Sequence, residues 1–423
     1  MLGRSFVNRC RKLVMYVRIV LVTTMVLLAV PETGLAQEAA GTEQKRQARK
    51  VLLAHYMPWY QAKPFASAWG WHWTMNKFNP DVTDAGKSSG SARRQIASHF
   101  YPLIAPYDSA DPAVLECQLL QMKLAGIDGV IVDWYGLSDL YDYAVLHRST
   151  QQLVAQAQKL GMRFAICYED STVPALIKAG KLKENQRVEH VAKEIAWLVN
   201  NVFNKKGYVH LDGEPVLLSF GQGGLNDSEW TECLGEIPEA IVYFSEHEKR
   251  TSAIGAFDWP IPKEGLAGVA RFQENAKLWS EAIAVAFPRF VDIYAQAGVH
   301  ESWGRIEDQQ GEVFRQTLQR AFEGPAKIIQ IATWNDWGEG TNVEPSREFG
   351  YRDLEAIQKM RKLKNNAAFT IQAADLRLPG ELLKLRRRRE QGASQRDLEK
   401  IAESLSRGKV EQARRELKII SAQ

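Results

Sequence analysis

Eight short apolar runs, most ending in aromatic or ionisable residues and most followed by a helical pattern, constrain this chain more than any other feature. The run at 51–60, VLLAHYMPWY, ends in His55, Tyr56, Trp59 and Tyr60, with Pro58 forcing the exit. Those at 129–136 and 164–170 end in Asp133, Trp134 and Tyr135, and in Tyr168, Glu169 and Asp170. The run at 215–221 precedes a Gly-rich loop, the run at 241–247 ends in Glu246 and His247, and the run at 252–260 ends in Asp258 and Trp259. Runs at 282–288 and 328–333 complete the series. Amphipathic patterns between them predict helices over 112–125, 141–160, 188–203 and 311–322, the first with Asp111 as cap and Pro112 at its first position. Strand–helix alternation of this kind predicts an α/β fold, a (β/α)8 TIM barrel. A doubly wound open sheet is the alternative, but eight units in series with polar strand ends favour closure.

The last unit continues into the richest stretch of the chain, IIQIATWNDWGEGTNVEP at 328–345. Asp336 and Glu339 stand three apart, flanked by Gly338 and Gly340 for tight turns and by Trp334 and Trp337 as flat apolar walls. Two carboxylates aimed into one aromatic cleft suit glycoside hydrolysis, in which one acid protonates the leaving oxygen and the other assists attack at the sugar carbon. The alternative for a bare D-x-x-E is a helix cap and a solvated acid.

The segment WNDWGEGTNVEPSREFGY is similar to the signature of the glycoside hydrolase family 71 and family 99 group, the α-1,3-glucanases and endo-α-mannosidases. Asp336 followed by an aromatic residue, Gly and Glu resembles family 71, whereas GTNVEP resembles family 99 and WbsX-type polysaccharide-locus proteins. The resemblance runs from about 51 to 357 and is dense at HYMPWY, FYPLIAPYDSADP, GIDGVIVDWYG and the 328–345 block. It implies Asp336 and Glu339 as the catalytic pair, with Asn335 beside them, and sugar contacts from His55, Tyr60 and Asp133. In family 99 the first acid is Glu and draws a proton from the sugar's own 2-hydroxyl, retaining configuration. The shorter Asp336 is the family 71 choice and favours activation of a water, hence inversion.

Other residues extend the expected cleft. Trp59 and Tyr135 lie at strand ends, and Glu169 and Glu246 end further strands. The insertion-like segment WGWHWTMNKFN at 69–79 brings Trp71 and His72 over the mouth, and VHESWGR at 299–305 overhangs it from the seventh unit. Twelve tryptophans in 423 residues fit carbohydrate handling, because aromatic faces stack on pyranose rings. The eight histidines are scattered and no H-x-x-x-H, C-x-x-C, G-x-G-x-x-G or P-loop appears, so neither metal nor cofactor is expected.

Residues 1–36 read as an export signal: a basic stretch to Arg18, an apolar run at 19–30 too short to span a bilayer, and Gly34-Leu35-Ala36 as cleavage site. Location is therefore expected to be periplasmic or extracellular, with no stable membrane span after cleavage. Residues 37–49 read as a linker, 50–378 as the barrel and 379–423 as a basic helical hairpin. That hairpin is expected to contact a partner or the barrel and to be separable from catalysis. The two termini carry more than the whole net charge of +4, leaving a mildly acidic body that is no nucleic-acid binder. Cys10, Cys117, Cys167 and Cys233 make no disulfide framework. The function expected is an exported, endo-acting glycosidase on α-linked manno- or gluco-configured polymer or oligosaccharide. A role in polysaccharide assembly, or a non-catalytic carbohydrate-binding protein on the same fold, is the alternative.

Overall fold

The computed structural model describes residues 49–84, 92–365, 369–388 and 394–421. The expected leader, nearly all of the linker, and Cys10 lie outside these residues. Eight parallel strands follow one another in chain order: β1 (Val51–Tyr56), β2 (Gly129–Trp134), β3 (Arg163–Glu169), β4 (Glu214–Phe220), β5 (Val242–Glu246), β6 (Gly255–Phe257), β7 (Ile283–Ala286) and β8 (Ile328–Ile331). Each pairs with its chain neighbours, and β8 pairs back onto β1, Val51 opposite Ile328, which closes a (β/α)8 barrel. Six of the eight strands are shorter than their apolar runs, because the polar tail of the run belongs to the loop above the barrel.

Period-two alternation divides every strand between two cores. Leu52, Ala54, Val130, Val132, Phe164 and Ile166 point outward against the helices. Leu53, Ile131, Ala165, Cys167, Leu218, Phe244 and Val285 fill the barrel. The same alternation puts His55, Asp133, Glu169, Glu246 and Gln330 on the inner face toward the C-terminal end. Trp134 and Tyr168 fall on the outer face, in the helix layer.

Around the barrel run α1 (Pro112–Ala125), α2 (Tyr143–Lys159), α3 (Arg187–Leu198), α4 (Asp227–Gly235), α5 (Leu266–Ala276), α6 (Glu312–Glu323) and α7 (Arg352–Asn365). The Asp111 side chain accepts from the Ala113 amide at the start of α1, the cap its sequence predicts. The helix expected over 188–203 is α3 continued by a π-turn at Val199–Phe203.

The C-terminal region is helical and meets the barrel, one of the two contacts expected of it, but with three helices rather than a two-helix hairpin: α8 (Leu378–Arg387), α9 (Gln395–Ser406) and α10 (Val410–Ser421), of which α8 and α9 pack on α1. Leu382, Leu398, Ile401, Leu405, Ala413 and Leu417 belong to the main core, and Arg386 holds Glu116 of α1 at 2.5 Å. The amphipathic pattern was legible, but α1 is buried on nearly every side and needs a second layer of helices to cover it. Cys233 likewise lies on a helix but is fully buried. Cys117, Cys167 and Cys233 are free thiols. No helix among the described residues is long and apolar enough to cross a membrane.

Candidate active site

The loop leaving β8 carries Asp336 and Glu339, and its geometry is fixed from three directions. Asn335 accepts from the Met57 amide at 2.8 Å and donates to the Met57 carbonyl at 3.0 Å, locking the loop to the end of β1. The Tyr60 hydroxyl donates to the Asn335 carbonyl and accepts from the Trp337 amide, both at 3.0 Å. On the far side the Val291 and Ile293 amides donate to the Glu339 and Gly338 carbonyls at 2.8 and 2.9 Å. Gly340 sits at φ 69° with Val291's carbonyl 2.7 Å from where a Cβ would stand, so this turn requires glycine.

Beneath the loop lies a buried polar network that sequence reasoning missed. Glu344 accepts from the Tyr107 hydroxyl and the Gln118 amide, both at 2.7 Å, and from the Trp337 indole at 3.2 Å. Tyr56 in turn donates to Gln118 at 2.6 Å. Burial outweighs these three donors and raises the Glu344 carboxyl to about 7. Glu344 stood within the signature block, but nothing local signals that it faces inward.

The acid pair itself is withdrawn from water. One Asp336 oxygen accepts the Glu339 amide at 2.9 Å, so part of this carboxylate is committed to its own loop. Burial nevertheless raises Asp336 to about 6. Glu339 is pushed well above the usual carboxylate range, first by burial and then by the charges of Asp336, Asp292 and Glu246. Its carboxylate receives a hydrogen bond from Trp259, while Oε2 has no partner. A carboxyl held protonated beside one that ionises more easily is the division of labour that acid–base chemistry requires.

Other carboxylates converge on the same mouth. Asp133 is raised to about 8 by burial and by Asp336 and Glu246. Glu169 is raised by burial and by Asp133. Glu246 is raised by burial against the opposing charge of His247, which lies 3.5 Å away and also faces Asp258 at 3.4 Å. His55 is neutral, lowered to about 4 by burial.

An aromatic ledge closes one side. Trp59 stacks on His72 at 4.2 Å and 5°, and on Tyr135 at 6.3 Å and 16°. Trp71, 38% exposed, meets His72 edge-on. Burial lowers His72 to about 3. The 69–79 segment reaches the acid loop through Met75, whose Cε lies 3.1 Å from the Cβ that Gly338 lacks. The 299–305 segment is tied in through Asp292, which accepts from Ser302 and the Trp303 amide at 2.8 and 2.9 Å.

The structure therefore gathers His55, Asp133, Glu169, Glu246, Asp336 and Glu339 on the inner face, with Trp59, Trp71, His72 and Tyr135 beside them. It assigns Tyr60 and Asn335 to holding the loop. Trp334 and Trp337 depart from expectation: both are fully buried in the packing around the loop and present no face to a ligand. Trp259, Asp292 and Tyr294, whose hydroxyl lies against the Gly338 turn, join the site unpredicted. Only Trp259 had a signal, as the end of an apolar run.

The glycosyl hydrolase family 99 profile matches residues 48–241, which hold the first four barrel strands. The chain is a family 99-like glycosidase. It is 21% identical over 330 residues to a glycoprotein endo-α-1,2-mannosidase-like protein of Homo sapiens, covering 69% of this chain and 68% of that one. The counterpart in Danio rerio is 20% identical over 324 residues, covering 68% and 69%. In structure, the chain resembles the family 99 endo-α-mannosidase of Bacteroides thetaiotaomicron solved with bis-tris-propane, with a TM-score of 0.56, 18% identity, and coverage of 75% of this chain and 99% of that one. Of the two families the sequence suggested, the match falls to family 99. The Asp336–Glu339 loop lies beyond the profile's matched residues.

Proposed function

We propose that this family 99-like barrel is an exported endo-acting glycosidase that cleaves an internal α-linkage of a manno-configured glycan, with Asp336 and Glu339 as its catalytic carboxyls. The observation that carries the reading is the pair's setting: a buried Asp336 and a half-buried Glu339, both raised in pKa, on a clamped loop at the C-terminal end of β8, facing other carboxylates and an aromatic ledge. Glu339, held protonated, donates to the departing glycosidic oxygen. Positive charge then develops on the ring, and the carboxylate of Asp336 stabilises that charge in a site of low dielectric. Asp336, ionised above about pH 6, is the partner base. One of its oxygens is already committed to the Glu339 amide, and its side chain is one methylene shorter than a glutamate's. That setting favours activation of a water, and with it inversion.

Mannose is preferred over glucose on the names of the relatives, and endo action and export on those names and on the leader sequence. The test is digestion of a panel of α-linked mannans and glucans with the mature protein, read by product mass, with the first-released anomer followed by proton NMR. Internal cleavage of an α-mannan releasing β product supports the proposal. Release of α product rejects inversion, and turnover confined to glucans rejects the substrate.

A further inference from the structure

Inside the barrel, near the C-terminal ends of adjacent strands, three side chains meet: His55 of β1, Asp133 of β2 and Cys167 of β3. One donor atom from each lies within 4.8 Å of the others, and all three residues are buried. We propose that this trio is a binding site for a thiophilic divalent cation such as Zn2+ or Cd2+.

The tautomer of His55 is the first support. Gln330 commits its amide NH2 to the Asp258 carbonyl at 2.8 Å, which turns its oxygen toward His55 Nδ1 at 3.4 Å. Nδ1 therefore carries the proton, and Nε2 keeps its lone pair. That nitrogen is buried without a hydrogen-bond partner, and so is Asp133 Oδ1. Two buried, unpartnered acceptors in one trio is the state that a shared cation resolves. A histidine oriented through its other nitrogen by a fixed acceptor is the usual arrangement around a bound metal.

Spacing and charge agree. Metal–ligand bonds of about 2.0–2.3 Å set tetrahedral donors roughly 3.3–3.8 Å apart. Small side-chain rotations close the trio around zinc, and the larger cadmium fits the spacing with less movement. Glu169 and Glu246 lie close enough to act electrostatically on Cys167 and supply negative charge for a dication. On binding, the Cys167 thiol and, where it is protonated, the Asp133 carboxyl give up their protons to solvent, which leaves a fourth position for water. Sequence spacing hides this set, because its members come from three separate strands and meet only through barrel register: Asp133 lies opposite Cys167, and His55 opposite Ile131.

The full chain, freed of metal with a chelator, is titrated with Cd2+ and followed by thiolate-to-cadmium ultraviolet absorption. A saturable band for a single ion per chain is expected. It should be lost in Cys167→Ser and kept in Cys233→Ser. Affinity should fall at least tenfold in His55→Gln and by about 10–100-fold in Gln330→Leu, which disturbs only the residue that orients His55. Should Cys167→Ser not fold by circular dichroism, the other two variants carry the test. No band in the wild type, a band that survives in a folded Cys167→Ser, or unchanged affinity in both His55→Gln and Gln330→Leu overturns the site.

Discussion

The two ends of the barrel treat charge in opposite ways. At the N-terminal end, Asp128 is met by Arg361 and Arg49, both at 2.5 Å, and by the Leu52 amide at 2.9 Å. Arg361, fully buried, spends its remaining donors on the Gly126 and Lys50 carbonyls at 2.8 and 3.0 Å. Lys50 caps the C-terminal carbonyls of α6 at Ala321 and Gly324. At the C-terminal mouth, Asp133, Glu169, Glu246, Asp336 and Glu339 face chiefly one another, and burial raises each. The lower end is built so that every charge is answered, which is stability. The upper end holds uncompensated acids in place through backbone clamps, which costs stability and leaves the protons available for chemistry.

The largest expected effect separates the ends outright. Glu339→Gln should lower turnover by about 10^2–10^4-fold, the range for loss of a general acid, and Asp336→Asn comparably. Neither should lower the denaturation midpoint, since each swap neutralises an acid that burial already disfavours. Near wild-type turnover in either variant removes that residue from the mechanism.

At the opposite end, Arg361→Met leaves two buried carbonyls without a donor and takes from Asp128 its one buried cation, with only the half-exposed Arg49 and the Leu52 amide left to it. It should cost about 3–5 kcal/mol in denaturant unfolding, with turnover per folded molecule unchanged. A loss of turnover without a loss of stability would erase the distinction between the two ends. The C-terminal helices belong with this lower, structural category. Ending the chain at Leu378 uncovers α1 and should give insoluble protein, and a soluble, active product would return those helices to the status of a separable tail.

Glu344 tests the boundary, being a mouth-side acid with a structural partner set. Its carboxyl titrates near 7 when folded, against about 4.5 when unfolded. Its contribution is thus fully present below about pH 4.5 and is lost as pH rises through 7, a fall of up to about 3 kcal/mol. Stability measured against pH in wild type and Glu344→Gln should differ in slope across that window. Parallel curves would mean that its three donors hold the carboxylate ionised.

The smallest effect belongs to the ledge. Trp71→Ala should raise KM a few-fold to about tenfold, consistent with the loss of about 0.5–1.5 kcal/mol of stacking, and leave kcat and stability alone. A fall in kcat with unchanged KM would place Trp71 with the loop-holding residues instead.

Strand number, strand order and the position of the acid pair were all written in the sequence, because apolar runs and their polar ends depend on local periodicity. Which face each aromatic residue presents was decided only by the tertiary structure. Trp134 and Tyr135 are neighbours, yet alternation sends the first into the helix layer and the second into the mouth. Trp334 and Trp337 flank Asp336 in sequence, yet loop closure buries both. Trp259 and Asp292 reach the acid pair from distant segments, Glu344 is turned inward by Tyr107 and Gln118 from far along the chain, and His55, Asp133 and Cys167 meet only because three strands align in register. Periodicity is a property of neighbours along the chain, whereas a site built across strands is set by register and closure, which appear only once the barrel is complete.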